Sequence, residues 1–350
     1  MYGPEFEKLA MKRLDTFAAT FPYGVSYLDD ALLGVSPNEL ILVGAKTGKG
    51  KTQLATQIAL NASRKGRKVT FFALEADSLE IEARLHYGRF TQKWIEVYPN
   101  LPCPRYLEWV KRADPDWVAI EKEVAPGLSL DCSDLRVVYK QGRYSPAQFL
   151  EDFKALEADT DLFIIDHLHY FDMQGTNESE ALKEAIHTIR DASIKHSKPV
   201  ILLAHLRKSD RKSEKSTPDI EDFHGHSDIV KVATTVLLLS PAKQSDTRMR
   251  WPTFFHIAKC RAAGELVGYA GLVGFDFNTN SYRAKYELHE TSLYEDPKPI
   301  QRIDGIPLWA QNAIKPVEAP MNLVRKYEDR RMKIEIACVE HAERIAESMK

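Results

Sequence analysis

The stretch Glu39-Leu40-Ile41-Leu42-Val43-Gly44-Ala45-Lys46-Thr47-Gly48-Lys49-Gly50-Lys51-Thr52 decides the fold. Residues 39–44 form an apolar run, which reads as a buried strand. Residues 51–64 carry the apolar spacing of a helix. Between them lies a turn of glycines and lysines ending in Lys-Thr, so the order is strand, phosphate-binding loop, helix. In that setting the backbone N–H groups of residues 45–52 wrap phosphate oxygens, and the helix N-terminus adds a favourable dipole. Lys51 would reach the β- and γ-phosphates, and Thr52 would place its hydroxyl on Mg²⁺. Ala45, Lys46, Thr47, Gly48, Lys49 and Gly50 complete the cradle; Ala45 stands where such loops usually begin with glycine.

Strands and helices alternate outward from this stretch. Strands are expected at 68–74, 135–139, 161–166, 199–206 and 234–240, and helices from about 78, over 145–156 and over 179–196. Residues 92–132 are mixed in character and broken by Pro99, Pro102, Pro104 and Pro115. Apolar strands separated by helices imply an α/β fold with a mostly parallel sheet covered on both faces. Residues 254–260 and 264–282 suggest antiparallel edge strands. Residues 4–19 read as an amphipathic helix, suited either to a neighbouring subunit or to the chain's own core, and 321–349 as a charged helix.

The 350 residues carry 48 Lys+Arg against 50 Asp+Glu, a net charge of −2. Such balance excludes a polycation that coats nucleic acid, so any nucleic-acid contact must be local. No apolar run is long enough for a membrane span, the N-terminus lacks a signal-peptide core, and four scattered cysteines form no CxxC pair. A cytoplasmic protein is therefore expected. His167, His169 and His205 could invite a metal reading, but no cysteine or further carboxylate stands at ligand spacing.

Two carboxylates fit the phosphate chemistry. Asp166 ends the apolar run 162–165, the setting of an acid that holds Mg²⁺. Glu75 follows the strand 68–74, where a carboxylate can orient and deprotonate an attacking water. The order of the P-loop, Leu74-Glu75, Ile165-Asp166-His167, Ala204-His205-Leu206 and Lys259-Cys260-Arg261 resembles the RecA-like motor domain of ring-shaped replicative DNA helicases. This is the DnaB family, with the T7-type phage primase-helicases and mitochondrial Twinkle nearest in pattern. The lead-in Gly24-Val25-Ser26-Tyr27-Leu28-Asp29-Asp30 adds to it, and the resemblance covers residues 21–283.

The resemblance implies a Mg²⁺-dependent hydrolase of ATP or another NTP or dNTP, working as a homo-oligomeric, hexameric ring on single-stranded DNA in phage or plasmid replication. It implies Glu75 as catalytic base, His205 as γ-phosphate sensor, Arg261 as an arginine finger acting on the neighbouring subunit, and Lys259 as its companion. Strand alternation places Lys259 and Arg261 on one side. The 207–226 connection, with Arg207, Lys208, Arg211, Lys212 and Lys215, suits a single-strand phosphate backbone. Two departures bear on coupling: His224 replaces an arginine, and Thr234 stands where an acid is expected. The expected organisation is an N-terminal helix (1–20), the motor (21–290) and a C-terminal tail (291–350), with primase, polymerase or a loader as partners. A RecA-like recombinase filament and a KaiC-like switch without nucleic acid are the other readings.

Overall fold

The computed structural model describes residues 3–140, 144–171, 178–206, 218–223, 226–242, 251–276, 279–291, 296–300 and 306–310. Ten strands form one sheet: β1 (Leu40–Ala45), β2 (Val69–Ala73), β3 (Leu135–Tyr139), β4 (Leu162–Asp166), β5 (Val200–His205), β6 (Thr235–Pro241), β7 (Pro252–Cys260), β8 (Tyr269–Asp276), β9 (Ser281–Glu290) and β10 (Lys298–Pro299), in the spatial order β10-β9-β8-β7-β6-β1-β5-β4-β2-β3. The pairs from β3 to β6 are parallel, and those from β6 to β10 antiparallel. This is the mixed sheet expected, with antiparallel strands at its C-terminal end.

The central strands are buried on both faces, which is why they read as continuous apolar runs without alternation. One core face joins Phe72, Phe149, Phe153 and Phe163 to Leu182, Ile186 and Ile189 of the helix α8 (Glu178–His196). The Phe153 and Phe163 rings stack 4.0 Å apart. α7 (Pro146–Leu156), which brings Phe149 and Phe153, opens with a capping box on Ser145 and Gln148.

The helix expected from about 78 forms as α4 (Glu80–Val97), and residues 92–132, read as mixed, complete a helical layer with it through α5 (Tyr106–Lys111) and α6 (Pro115–Asp131). Pro115 sits in the first turn of α6, where its missing N–H costs nothing, and therefore opens a helix instead of breaking one. The layer has a separate aromatic cluster of Tyr87, Phe90, Trp94, Trp109 and Trp117.

The N-terminal helix α1 (Gly3–Ala19) forms as expected, but does not bury its apolar residues on its own chain. Phe6 is 57% exposed and Phe17 81%. The lead-in is tied down by Asp29, whose carboxylate accepts from Tyr23 N at 2.6 Å and Gly24 N at 3.0 Å. No helix among the described residues is long and apolar enough to cross a membrane.

Candidate nucleotide site

β1, β5, β4 and β2 are neighbours in space, and all point their C-terminal ends to one edge of the sheet. The four segments carrying the chemistry follow those ends: the P-loop after β1, His205 at the end of β5, Asp166 at the end of β4 and Glu75 just past β2. Crevices outside the carboxyl ends of parallel strands are where α/β sheets bind ligands. Here the crevice is a cavity of about 990 Å³, lined by the P-loop, Glu75, Asp166 and His205 on one side and by Trp251, Phe275 and Tyr282 on the other.

The loop is shaped by two glycines in the left-handed region, Gly48 at φ 73° and Gly50 at φ 87°. A Cβ at Gly50 would also lie 2.1 Å from the Tyr282 hydroxyl. The helix α3 (Lys51–Arg64) starts at once after Gly50 and buries Leu54, Ile58 and Ala62. That packing fixes the loop over the sheet. Tyr282 and Asn280, from β9 and the turn before it, brace the start of α3. Asn280 Nδ2 donates to Gln53 Oε1 at 2.9 Å, and Tyr282 N donates to Gln57 Oε1 at 2.8 Å.

Lys51 folds back onto the loop and the end of β5. Its ammonium donates to the Ala45 carbonyl and to His205 Nδ1, both at 3.1 Å. Burial lowers its pKa, partly offset by Asp166 and Glu75. The Thr52 hydroxyl donates to Asp166 Oδ2 at 2.6 Å. The other oxygen, Oδ1, is buried with no hydrogen-bond partner among the described residues. Burial pushes the Asp166 carboxyl up to about 6, with the Thr52 hydrogen bond opposing. A buried, half-satisfied carboxylate beside a hydroxyl is a hard oxygen site in want of a cation, and so fits Mg²⁺.

Glu75 is held at its root by backbone bonds from Leu74 N and Glu75 N to the Asp166 carbonyl, at 2.7 and 3.2 Å. Its Oε2 lies 3.1 Å from His167 Nε2 and 3.8 Å from His205 Nε2. Burial lowers both imidazole pKa values, His167 to about 2 and His205 to about 4, with neighbouring positive groups adding to the effect. Both rings are therefore neutral at neutral pH. The histidines thus do acquire a carboxylate neighbour, contrary to the sequence reading. Glu75, His167 and His205 place ligand-type atoms within 4.8 Å of one another. Linear spacing hid this because Glu75 comes from a different strand.

A model of the DnaB-like helicase C-terminal domain matches residues 20–283. The chain belongs to that family. The DnaB-like fold also appears in comparison with solved structures. A DnaB-like replicative helicase, described together with its interactions with primase, aligns at TM-score 0.61 and 18% identity, over 75% of this chain and 61% of that one. The chain thus spans less than two thirds of that helicase's length. A solved ATPase domain aligns at TM-score 0.63 and 16% identity, over 80% of this chain and 97% of that one. At such identities the likeness establishes a shared RecA-like fold. No curated protein matches significantly by sequence.

The remaining expected residues of the DnaB-like domain lie elsewhere. Arg261 follows β7, exposed, and its N–H donates to the Thr234 carbonyl at 2.9 Å. Thr235 pairs with Ile41 and Leu239 with Ala45. Arg261 is therefore level with the start of β1, five residues or about 17 Å below Ala45, where the P-loop begins. Lys259 has an occupation the sequence did not suggest: its ammonium donates to the carbonyls of Val230, Lys231 and Ala233 at 2.6, 3.0 and 2.7 Å. It thereby caps the C-terminus of α9 (His226–Val232). A bulge separates Lys259 from the regular β6–β7 register.

Thr234, standing in place of an acid, exchanges bonds with Leu40: its hydroxyl accepts from Leu40 N at 3.0 Å. Arg207, Lys208, Arg211, Lys212, Lys215 and His224 lie outside the described residues, as does the 321–349 helix. Phe223, at the far end of that connection, is fully buried and bridges to Leu206. It packs against Gly44, where a Cβ would meet the Phe223 ring at 2.4 Å. The sequence reading missed Tyr282, Asn280 and the Glu75 contact of His167. For His167 the signal was present: it directly follows an acid at a strand end.

Proposed function

We propose that this chain is the NTP-hydrolysing motor of a DNA helicase that assembles head to tail, most simply as a hexameric ring, and moves on single-stranded DNA during phage- or plasmid-type replication. The observation that carries this reading is the convergence of Lys51, Thr52, Asp166, Glu75 and His205 at one sheet edge, while Arg261 sits at the opposite end. In the proposed reaction the P-loop amides and Lys51 bind the phosphates of ATP or a related nucleotide, Lys51 leaving His205 to do so. Thr52 and Asp166 would hold Mg²⁺, which when bound neutralises charge between the β- and γ-phosphates. Glu75 orients the attacking water and accepts its proton. His205, next to Lys51 and Thr47, reports γ-phosphate occupancy to the connection that follows it.

Arg261 cannot reach its own P-loop from the far end of the sheet. In a head-to-tail assembly it faces the next subunit's phosphates, so each site needs two chains. The exposed apolar side of α1 supports an inter-subunit role for residues 1–20. The basic residues 207–215 follow β5 directly from the nucleotide edge, which supports a contact with single-stranded DNA there. Replication proteins such as primase, polymerase or a loader are the expected partners.

The test is hydrolysis and fork unwinding by wild type, Lys51→Ala and Arg261→Ala. Both variants should lose DNA-stimulated hydrolysis, and mixing them should restore part of it, because one contributes an intact P-loop and the other an intact arginine. No recovery in properly assembled mixtures would sink the trans assignment. Hydrolysis indifferent to single-stranded DNA would favour the KaiC-like switch, and strand exchange on filaments without unwinding the recombinase.

A further inference from the structure

We propose that His167 is a positioning residue for hydrolysis, its Nε2–H holding the Glu75 carboxylate in place when nucleotide binds and Lys51 leaves His205. The inference rests on the reading of Glu75 as the water-activating base. The protonation pattern follows from the contacts. His169 N donates to His167 Nδ1 at 3.2 Å, so in the neutral ring Nε2 carries the hydrogen. That nitrogen is buried, and its 3.1 Å neighbour is Glu75 Oε2, though without the alignment of a full hydrogen bond. A small turn of the half-exposed Glu75 side chain completes it. In the same way Lys51, which can only donate, fixes Nδ1 of His205 as an acceptor and puts the hydrogen on Nε2, 3.8 Å from the same carboxylate oxygen.

These tautomers decide between two uses of the cluster. Tetrahedral zinc ligands at about 2.05 Å from the metal stand about 3.3 Å apart, close to the spacings seen here. Metal-bound imidazoles, however, turn their second nitrogen to an acceptor as an N–H. Here both second nitrogens face donors. Hydrogen bonding to Glu75 fits that pattern, and metal ligation does not.

The two histidines differ in freedom. His167 is 2% exposed and wedged between the rings of His205 and Tyr170, at 4.0 and 4.9 Å. His205 is tied to Lys51 and Thr47, the side chains that phosphate would recruit. Once Lys51 turns to phosphate, His205 is released and His167 remains the fixed donor. Its loss should therefore appear in kcat and not in nucleotide affinity.

The test compares Glu75→Gln, His167→Asn and His167→Gln in the assembled full chain with Mg²⁺, ATP and single-stranded DNA. Asparagine can still accept from His169 N but is too short to reach Glu75; glutamine reaches it with an N–H. We expect His167→Asn to lower kcat about tenfold with KM unchanged within about twofold. His167→Gln should restore kcat to within about threefold of wild type. Melting midpoints and nucleotide affinity check folding.

Wild-type kcat in His167→Asn overturns the proposal, as does equal impairment of both His167 variants. A folded His167→Gln protein with kcat down more than about tenfold overturns it by itself. Stoichiometric zinc in the purified wild-type protein overturns it too, since zinc on Nε2 would remove the N–H. Glu75→Gln separates the two levels. If it hydrolyses normally, the reading of Glu75 fails. If it is inactive and the His167 variants behave alike, only the positioning role fails.

Discussion

The two ends of the parallel strands hold their polar and charged groups differently. At the C-terminal end, buried or half-buried polar groups pair with one another along one wall of a cavity: Lys51 with His205, Thr52 with Asp166, Glu75 with His167. Their partners are side chains that a nucleotide could displace, and Asp166 keeps one oxygen unsatisfied. At the other end, Lys259 is spent on three helix carbonyls and Thr234 on the backbone of Leu40, while Arg261 is exposed. One end is poised for exchange of partners. At the other, Lys259 and Thr234 are structural and Arg261 is not, and that contrast singles Arg261 out from the Lys-x-Arg pair.

The largest effect is expected at Arg261. Arg261→Ala should lower kcat about a thousandfold, the lower range for an arginine finger, with nucleotide affinity unchanged in binding titrations. Arg261→Lys should not rescue it, because an ammonium lacks the planar fork. Lys51→Ala comes next, with at least about a hundredfold loss of kcat. That variant should also leave His205 Nδ1 with Thr47 as its remaining partner.

Lys259→Met sharpens the contrast. The resemblance gives Lys259 a role in the neighbour's site, whereas its contacts make it a cap for α9. As a cap, its loss should destabilise the domain by about 2 kcal/mol in denaturant titration, with kcat nearly intact. A large fall in kcat at unchanged stability would return it to the catalytic pair.

The pH dependence of stability is smaller and belongs to the nucleotide end. His205 titrates near 4 when folded against an ordinary 6.5, so the unfolded chain binds more protons in that window. The stability is complete above pH 6.5 and is lost as pH falls towards 4. His167 acts in the same direction and extends the loss towards pH 2. Asp166 acts oppositely: with a folded value near 6 against 3.8, it adds stability as pH falls from 6 to 3.8. Melting curves of nucleotide-free His205→Gln should therefore fall less steeply with acid than wild type, by about 1 kcal/mol across the window after allowance for its partial exposure.

Much of the fold was legible because apolar runs and their lengths are local signals. The length of the 39–44 run and the Gly-Lys turn that ends it marked a buried strand and a phosphate loop without any knowledge of spatial neighbours. The helical layer at 80–131 was less legible. Pro115 reads as a breaker but opens α6, and Pro126 sits within that helix. The layer's aromatic core is also closed within itself, so the sheet gives it no periodic imprint.

The sequence by itself determined the chemistry available: a P-loop, two strand-end acids, a strand-end histidine and a Lys-x-Arg pair, each recognisable from its immediate flanks. Tertiary structure alone decided which of them meet. The order β1-β5-β4-β2 is not the order of the chain, so the meeting of Glu75 with His167 and His205 depends on strand crossover and register, not on spacing. It likewise decided that Lys259 caps a helix and that Arg261 faces away from its own loop. Those outcomes depend on which strand ends share an edge of the sheet, and that is settled by long-range pairing among the buried strands.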